Sequence, residues 1–320
     1  MTPFPFVSIL IPVYNREKYI AECIESALAQ TYPNFEIVIV DNASSDRTQE
    51  ICRDFLNRHN NIRFFINQEN VGPVKNWQRC VHEANGQFCK ILFSDDLLLP
   101  DCLEIMVPKL TNDISLVCSA CLIGGSPLDS VIRYQAPRNG KISRGQFINM
   151  LLNGDAPVSP GAILIRTEDL IQNLYDSFPT STLQPFSSHG AGPDIMLSLL
   201  TMEHYLFVYT LTDPLVFFRA HPDSFTLQNA NNAVSEGYRA AISFYLKTRY
   251  GDKPWAKYLS LQWMVEARRI RKIPSPKKFL KKYEGFGSFM EICSLLKASV
   301  VHLLNRILGN KLVFISKGED

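Results

Sequence analysis

Short β-branched apolar runs alternate with amphipathic helical segments through the first third of the chain, and this alternation constrains the fold more than any other feature. Residues Val7–Val13 (VSILIPV) and 35–40 (FEIVIV) are continuous apolar runs. Between them, residues 17–30 place Ile20, Ile24, Ala27 and Leu28 on one helical stripe. A helix over 46–57, a strand over Ile62–Ile66, a helix begun by Pro73 over 73–84 and a strand over 88–93 after Gly86 continue the pattern. Such alternation predicts an α/β fold, with a mostly parallel sheet flanked by helices on both faces.

The pattern then loosens. Residues 100–110 read as a helix, 115–123 as a buried strand, 124–140 as irregular, 143–152 as a helix and 161–166 as a strand. A Pro/Ser/Gly-rich polar loop over 178–193 leads to a helix at 194–203 and a strand at 213–221. From Ala233 onward the pattern is helical, broken at Gly251, Pro254, Pro274-Ser275-Pro276 and Gly285. Length divides the chain accordingly. At 320 residues, a catalytic domain over 1–232 is expected, with halves 1–110 and 111–232, followed by a helical extension over 233–320. A 46% hydrophobic and 20% charged composition supports a sizeable core and excludes disordered and fibrous classes. A formal charge of +2 gives no field that would argue for nucleic acid.

The eight cysteines fall mostly in apolar or helical patterns, and no cleavable export signal is legible, so reduced thiols and a cytoplasmic location are expected. Cys118 and Cys121 form a lone CxxC without the second pair that a structural zinc site needs. No run reaches the roughly 18 apolar residues of a membrane-spanning helix.

A parallel sheet gathers its ligand crevice at the carboxyl ends of its strands. Here those ends read Pro12-Val13-Tyr14-Asn15, Asp41-Asn42-Ala43-Ser44-Ser45-Asp46, Asn67-Gln68-Glu69-Asn70 and Ser94-Asp95-Asp96. Adjacent carboxylates closing an apolar strand are costly unless they hold a cation or accept backbone hydrogen bonds. Mg²⁺ uses one or two carboxylates plus phosphate oxygens, so Asp95-Asp96 points to a diphosphate ligand; helix capping before Pro100 is the alternative. Asp41-Asn42 suits either a base edge, with a ring N–H beside a carbonyl, or an Asx-type turn.

In order and spacing, VSILIPVYN, QTYP before FEIVIVDNASSD, NVGPVKNW with Gly86, and FSDDLLLPDCLE together resemble family 2 glycosyltransferases of the GT-A fold through about residue 110. The resemblance implies a Rossmann-like nucleotide-binding half and transfer of one sugar, with inversion, from a nucleoside diphosphate sugar (UDP or dTDP) to an acceptor hydroxyl. Its setting would be bacterial surface polysaccharide or glycolipid assembly. It places Pro12, Tyr14 and Asn15 around base and ribose, with Asp41 and Asn42 near the base. The family commonly carries a second Asp where Asn42 stands, which leaves the base identity open. Asp95 and Asp96 match the DxD-type signature in a shortened form, with Asp96 as ligand of Mg²⁺ or Mn²⁺ and Asp95 nearer the ribose or a metal-bound water. Lys75 stands at a commonly basic position, facing the nucleotide or solvent.

Further on the match is weaker. Gly192-Pro193-Asp194 resembles the segment that supplies the family's general base, which makes Asp194 the candidate base; an ordinary first-turn carboxylate is the alternative. Residues 214–224 resemble the closing Arg-x-His segment. His221 would join Asp96 at the metal, or Arg219 and His221 would meet the diphosphate. The loop over 180–192 is a candidate lid. The acceptor would be a carbohydrate or lipid-linked sugar. The basic, apolar residues 268–308 read equally as a peripheral anchor on the anionic inner face of a cytoplasmic membrane or as a helical lobe packed on the core. Two rivals remain: a sugar-phosphate nucleotidylyltransferase, whose Gly-rich phosphate loop is missing from residues 13–18, and a non-catalytic nucleotide-sugar-binding protein on the same fold.

Overall fold

In the computed structural model, residues 4–179, 186–222, 224, 233–270, 273–282 and 289–307 are described. Every residue of β1 (Val7–Val13) is buried, as an all-apolar strand requires when both faces of its sheet are covered. β1 lies parallel to β2 (Phe35–Asp41) on one side and to β4 (Phe88–Ile91) on the other, and β3 (Ile62–Ile66) extends β2 in parallel. The period of two along these strands sorts their side chains. Ile9, Ile11, Ile37 and Ile39 pack with α1 (Ile20–Leu28), α2 (Thr48–Arg58) and α4 (Cys102–Met106). Leu10, Val38 and Val40 face α3 (Pro73–His82) and α6 (Thr167–Asn173). Gly86 is required where the chain enters β4. A Cβ there would stand 2.4 Å from the Ser8 backbone nitrogen, and the Gly86 N–H donates to Ser8 Oγ at 2.8 Å.

The described residues form one sheet in the order β3-β2-β1-β4-β9-β6-β10-β5, with β7 on β6 and β8 on β10. The mostly parallel expectation therefore holds for the first half. The second half is mixed: β9 (Ile163–Arg166) is antiparallel to both β4 and β6 (Ile114–Gly124), while β6 and β10 (Phe207–Arg219) run parallel. β5 (Leu97–Leu98), β7 (Ser130–Arg133) and β8 (Gly140–Ser143) add short antiparallel pairings; β7 lies within the stretch read as irregular, and β8 starts at its end. β10 begins six residues before the expected 213. Register shifts flank Pro214, whose missing N–H interrupts the ladder and makes one bent strand look like the start of a new one. The helix read at 100–110 is α4 followed by a 3₁₀ turn, Val107–Lys109, that carries Pro108.

A separate core joins α5 (Arg144–Asn153) and α7 (Pro193–Met202) to α8 (Ala233–Tyr250) and α9 (Asp252–Ile270), through Phe147, Ile148, Leu199, Tyr245, Trp255 and Leu259. α5 starts with a capping box from Ser143 and Gln146 and stops at left-handed Gly154. α10 (Pro276–Lys282) and α11 (Phe289–Ile307) complete the helical region; Leu280 and Leu295 are fully buried in the same core.

Candidate functional site

The parallel register places Asp41 level with Val13, and Ile91 level with Leu10, so the segments after β1, β2 and β4 emerge on one edge of the sheet. The first two are tied together. Asn15 donates its backbone N–H to Ser44 Oγ at 2.8 Å and accepts from the Ser45 N–H at 2.9 Å, while the Arg16 N–H meets Thr48 Oγ1 at 2.8 Å. Asn15 and Ala43 both hold left-handed backbone, at φ 48° and 60°. For Ala43 that conformation costs about 1–2 kcal/mol, the kind of strain that collects at functional sites.

Pro12 is buried in β1, and Tyr14 just beyond it is 42% exposed. Asp41 is fully buried; Oδ2 accepts from the Ser44 N–H at 2.9 Å and from Gln49 Nε2 at 2.8 Å. Its Oδ1 is buried without a hydrogen-bond partner among the described residues. Asn42 differs from that expectation of a ligand-facing amide, because its carboxamide is used within the protein. Nδ2 donates to Asn70 Oδ1 at 2.8 Å, and Oδ1 accepts from Asn67 Nδ2 at 2.9 Å and the Val71 N–H at 3.0 Å. Lys75 is exposed in the first turn of α3.

Asp95 and Asp96 follow β4 and are held from the end of β10. The Arg219 N–H donates to Asp96 Oδ1 at 2.9 Å, and Arg219 Nε donates to the Asp95 carbonyl at 3.0 Å. The Arg219 guanidinium also reaches Glu22 on α1 and lies over the Tyr19 and Phe217 rings, so it braces the site and is spoken for. His221 Nε2 stands 3.0 Å from Asp95 Oδ2, so the imidazole meets the carboxylate pair through Asp95. The Tyr19 ring packs on the His221 imidazole at 4.4 Å. Arg16 Nε lies 3.5 Å from the same Asp95 oxygen. Burial first, then the neighbouring Asp95 charge, push the Asp96 carboxyl well above the usual range. Two carboxylates and an imidazole are a donor set that suits a hard divalent ion. Asp96 Oδ2 accepts nothing from the described residues. Among the described residues no three His, Cys, Asp or Glu side chains form a ready cage, so such an ion would need oxygens from its ligand.

Asp194 sits in the first turn of α7 and is 6% exposed. Oδ1 accepts from the Gly192 N–H at 2.8 Å and the Ile195 N–H at 2.7 Å; Oδ2 accepts from the Tyr238 hydroxyl at 2.6 Å. Burial nevertheless dominates and pushes the carboxyl up to about 7. A chain of contacts joins this turn to the carboxylate pair. Phe93, just before Ser94, packs on Trp77 at 5.4 Å, and Gly190 abuts Trp77 so closely that a Cβ would meet its ring at 2.5 Å. Residues 180–185 of the expected lid lie outside the described residues, and beyond them Phe186 and His189 to Gly192 are buried. Arg16, Tyr19 and Tyr238 escaped the sequence reading: the first two lie between the end of β1 and the apolar stripe of α1, and Tyr238 lies on a helix with no motif of its own.

The seven buried cysteines and half-buried Cys293 are free thiols, and Cys118 and Cys121 lie within β6. No helix among the described residues is long and apolar enough to cross a membrane.

The glycosyl transferase family 2 model matches residues 8–173, just over half of the chain. Over 114 residues the chain is 40% identical to chondroitin synthase of Escherichia coli, covering 36% of this chain and 16% of that protein. Over 101 residues it is 37% identical to glycosyltransferase GlyG of Streptococcus pneumoniae serotype 4, covering 31% of this chain and 33% of that one. These matched stretches thus span a third or less of the relatives' length. In solved structures, S. aureus TarS 1–349 in complex with UDP-GlcNAc superposes with a TM-score of 0.61 at 18% identity, covering 96% of this chain and 93% of that one. The fold is that of a GT-A protein, and the chain belongs to glycosyl transferase family 2.

Proposed function

We propose that the protein transfers a single sugar, with inversion, from a nucleoside diphosphate sugar to a carbohydrate hydroxyl. The observation that carries this reading is the meeting of Asp95, Asp96 and His221 at the strand ends that also bear Asp41. A uridine donor is favoured because the like-folded TarS is seen with UDP and UDP-GlcNAc. The unsatisfied Oδ1 of Asp41 is an acceptor of the kind a base ring N–H satisfies, at a saving of about 1–3 kcal/mol. Tyr14, the residue after the Val13 that pairs with Asp41, supplies an exposed ring at the same strand end.

Asp96, with Asp95 and His221 beside it, would hold Mg²⁺ or Mn²⁺. Bound there with the donor's diphosphate, the ion supplies charge neutralisation for the leaving group. Arg219 holds the Asp96 carboxylate through its backbone N–H and the Asp95 main-chain carbonyl through its guanidinium. Asp194 takes the proton of the acceptor hydroxyl as it attacks the sugar from the face opposite the diphosphate, and a carboxyl near 7 is well matched to that task. A cavity of about 480 Å³ between Tyr134, Arg133 and Asp155 opens on the acceptor half of the sheet and has room for the acceptor sugar.

An anionic membrane surface is part of the same proposal. α11 exposes Leu296, Val300 and Leu303 at helical spacing beside exposed Lys297, and Lys277 and Lys278 are exposed on α10. Sedimentation with anionic vesicles should be salt-sensitive and lost on deleting residues 273–320; salt-independent solubility of both forms rejects it. For the reaction itself, release of UDP from a panel of UDP-sugars with Mn²⁺ and an oligosaccharide acceptor is the test. Turnover with at least one donor is expected, and it should vanish in Asp194→Asn; undiminished turnover in that variant removes Asp194 from the mechanism.

A further inference from the structure

Every atom of the Asp194 carboxylate that could accept a proton is already held. Its Oδ1 is fixed by the backbone N–H groups of Gly192 and Ile195, which belong to the turn that presents it. Among the described residues its Oδ2 is fixed by Tyr238, at 2.6 Å, from α8. That helix lies beyond residues 8–173, the part of the chain that the family model matches. We propose that Tyr238 is the positioning residue for Asp194, a phenol that fixes the rotation of the carboxylate and aims its second oxygen at the acceptor hydroxyl. The proposal rests on the reading of Asp194 as the base.

The geometry allows little else. Gly237, the neighbour of Tyr238, packs so tightly on the turn before α7 that a Cβ would stand 2.3 Å from the Ala191 carbonyl oxygen, so α8 approaches that turn at backbone distance. Burial, followed by the Asp194 charge, raises the Tyr238 phenol well above its usual value, so it remains a donor throughout the working pH range. Around this turn, His189 precedes α7, Tyr134 lies beyond Tyr238, and Cys118 and Cys121 are on β6; α8 also carries Glu236, Arg239, Tyr245, Lys247, Arg249 and Tyr250, and α6, which packs on α7, carries Glu168 and Asp169. Burial acts on Asp194 before any of these, and its hydrogen bonds, led by that of Tyr238, oppose it. The helical region therefore completes the base.

Tyr238→Phe keeps the ring and removes the bond. In the full chain, with a UDP-sugar that turns over in the wild type, the acid limb of the kcat/KM profile should move up by about one pH unit, the size of one hydrogen bond to a charged carboxylate. kcat at pH 7 should fall about fivefold, as a base near 7 shifted up by one unit requires, with the donor KM unchanged. A structural role would instead lower activity equally at every pH, and an unmoved acid limb overturns the proposal, whether activity falls or not. Asp194→Asn separates the two layers: if it retains full transfer, the base reading has failed; if it is inactive and Tyr238→Phe leaves the limb in place, only the positioning role has failed.

Discussion

Asp194→Asn should make the protein more stable at neutral pH while ending its activity. A buried carboxyl with a pKa pushed from 3.8 to about 7 holds a proton in the folded state that the unfolded chain has already lost. Between those two values the folded state binds more protons than the unfolded state, so stability falls as pH rises, by about 1.4 kcal/mol per pH unit. Over roughly three units the cost reaches about 4 kcal/mol, full above pH 7 and nil below pH 4. Asparagine cannot ionise. Its Oδ1 can still accept from Gly192 and Ile195, and its amide can donate to the Tyr238 oxygen, so any loss from the exchange is independent of pH. At about 2.1 cal/mol/K of unfolding entropy per residue, roughly 4 kcal/mol corresponds to about 6 °C for this length. Thermal melts of both proteins from pH 4 to pH 8 should show the variant gaining on the wild type by about that much and levelling off above pH 7. A Tm difference that stays flat across the range refutes the desolvated-base argument.

Gly190→Ala should lower Tm by at least about 2 °C, because φ of +70° costs an alanine roughly 1–2 kcal/mol and the Cβ must displace Trp77; an unchanged melt would show that the turn before Asp194 is not packed as described. Burial pushes the thiols of Cys52, Cys89 and Cys118 up to about 12 and that of Cys102 up to about 11. A thiol reagent at pH 8 should therefore label at most Cys293 in the native protein and all eight cysteines once it is unfolded, and rapid native labelling of several would contradict the burial. Arg219→Ala should weaken donor binding at least tenfold, since it unties Asp95 from Glu22 and the Tyr19 ring; unchanged binding would reduce Arg219 to a surface contact.

Legibility in the sequence followed locality. Strands β1 to β4 and helices α1 to α3 were readable because each is a self-contained periodic segment, and the strand-end rule then collected Asp41, Asp95 and Asp96 without a tertiary contact. The second half hid its mixed sheet because pairing partners there are distant: β9 pairs with β4 and β6, and β8 is only four exposed or half-buried residues. Pro214 disguised one long strand as a turn and a short one. Roles at the site were harder still. Nothing local says that Asn42 spends its amide on Asn67 and Asn70, that His221 sits by Asp95, or that Tyr238 reaches Asp194 across 44 residues.

The central claim is that the Asp95-Asp96 pair grips the donor's diphosphate through a divalent ion. Calorimetric titration of UDP into the wild type and Asp96→Ala, each with and without Mn²⁺, tests it most directly. The account predicts binding that needs Mn²⁺ in the wild type and is lost in the variant; equal affinity in all four titrations would contradict it.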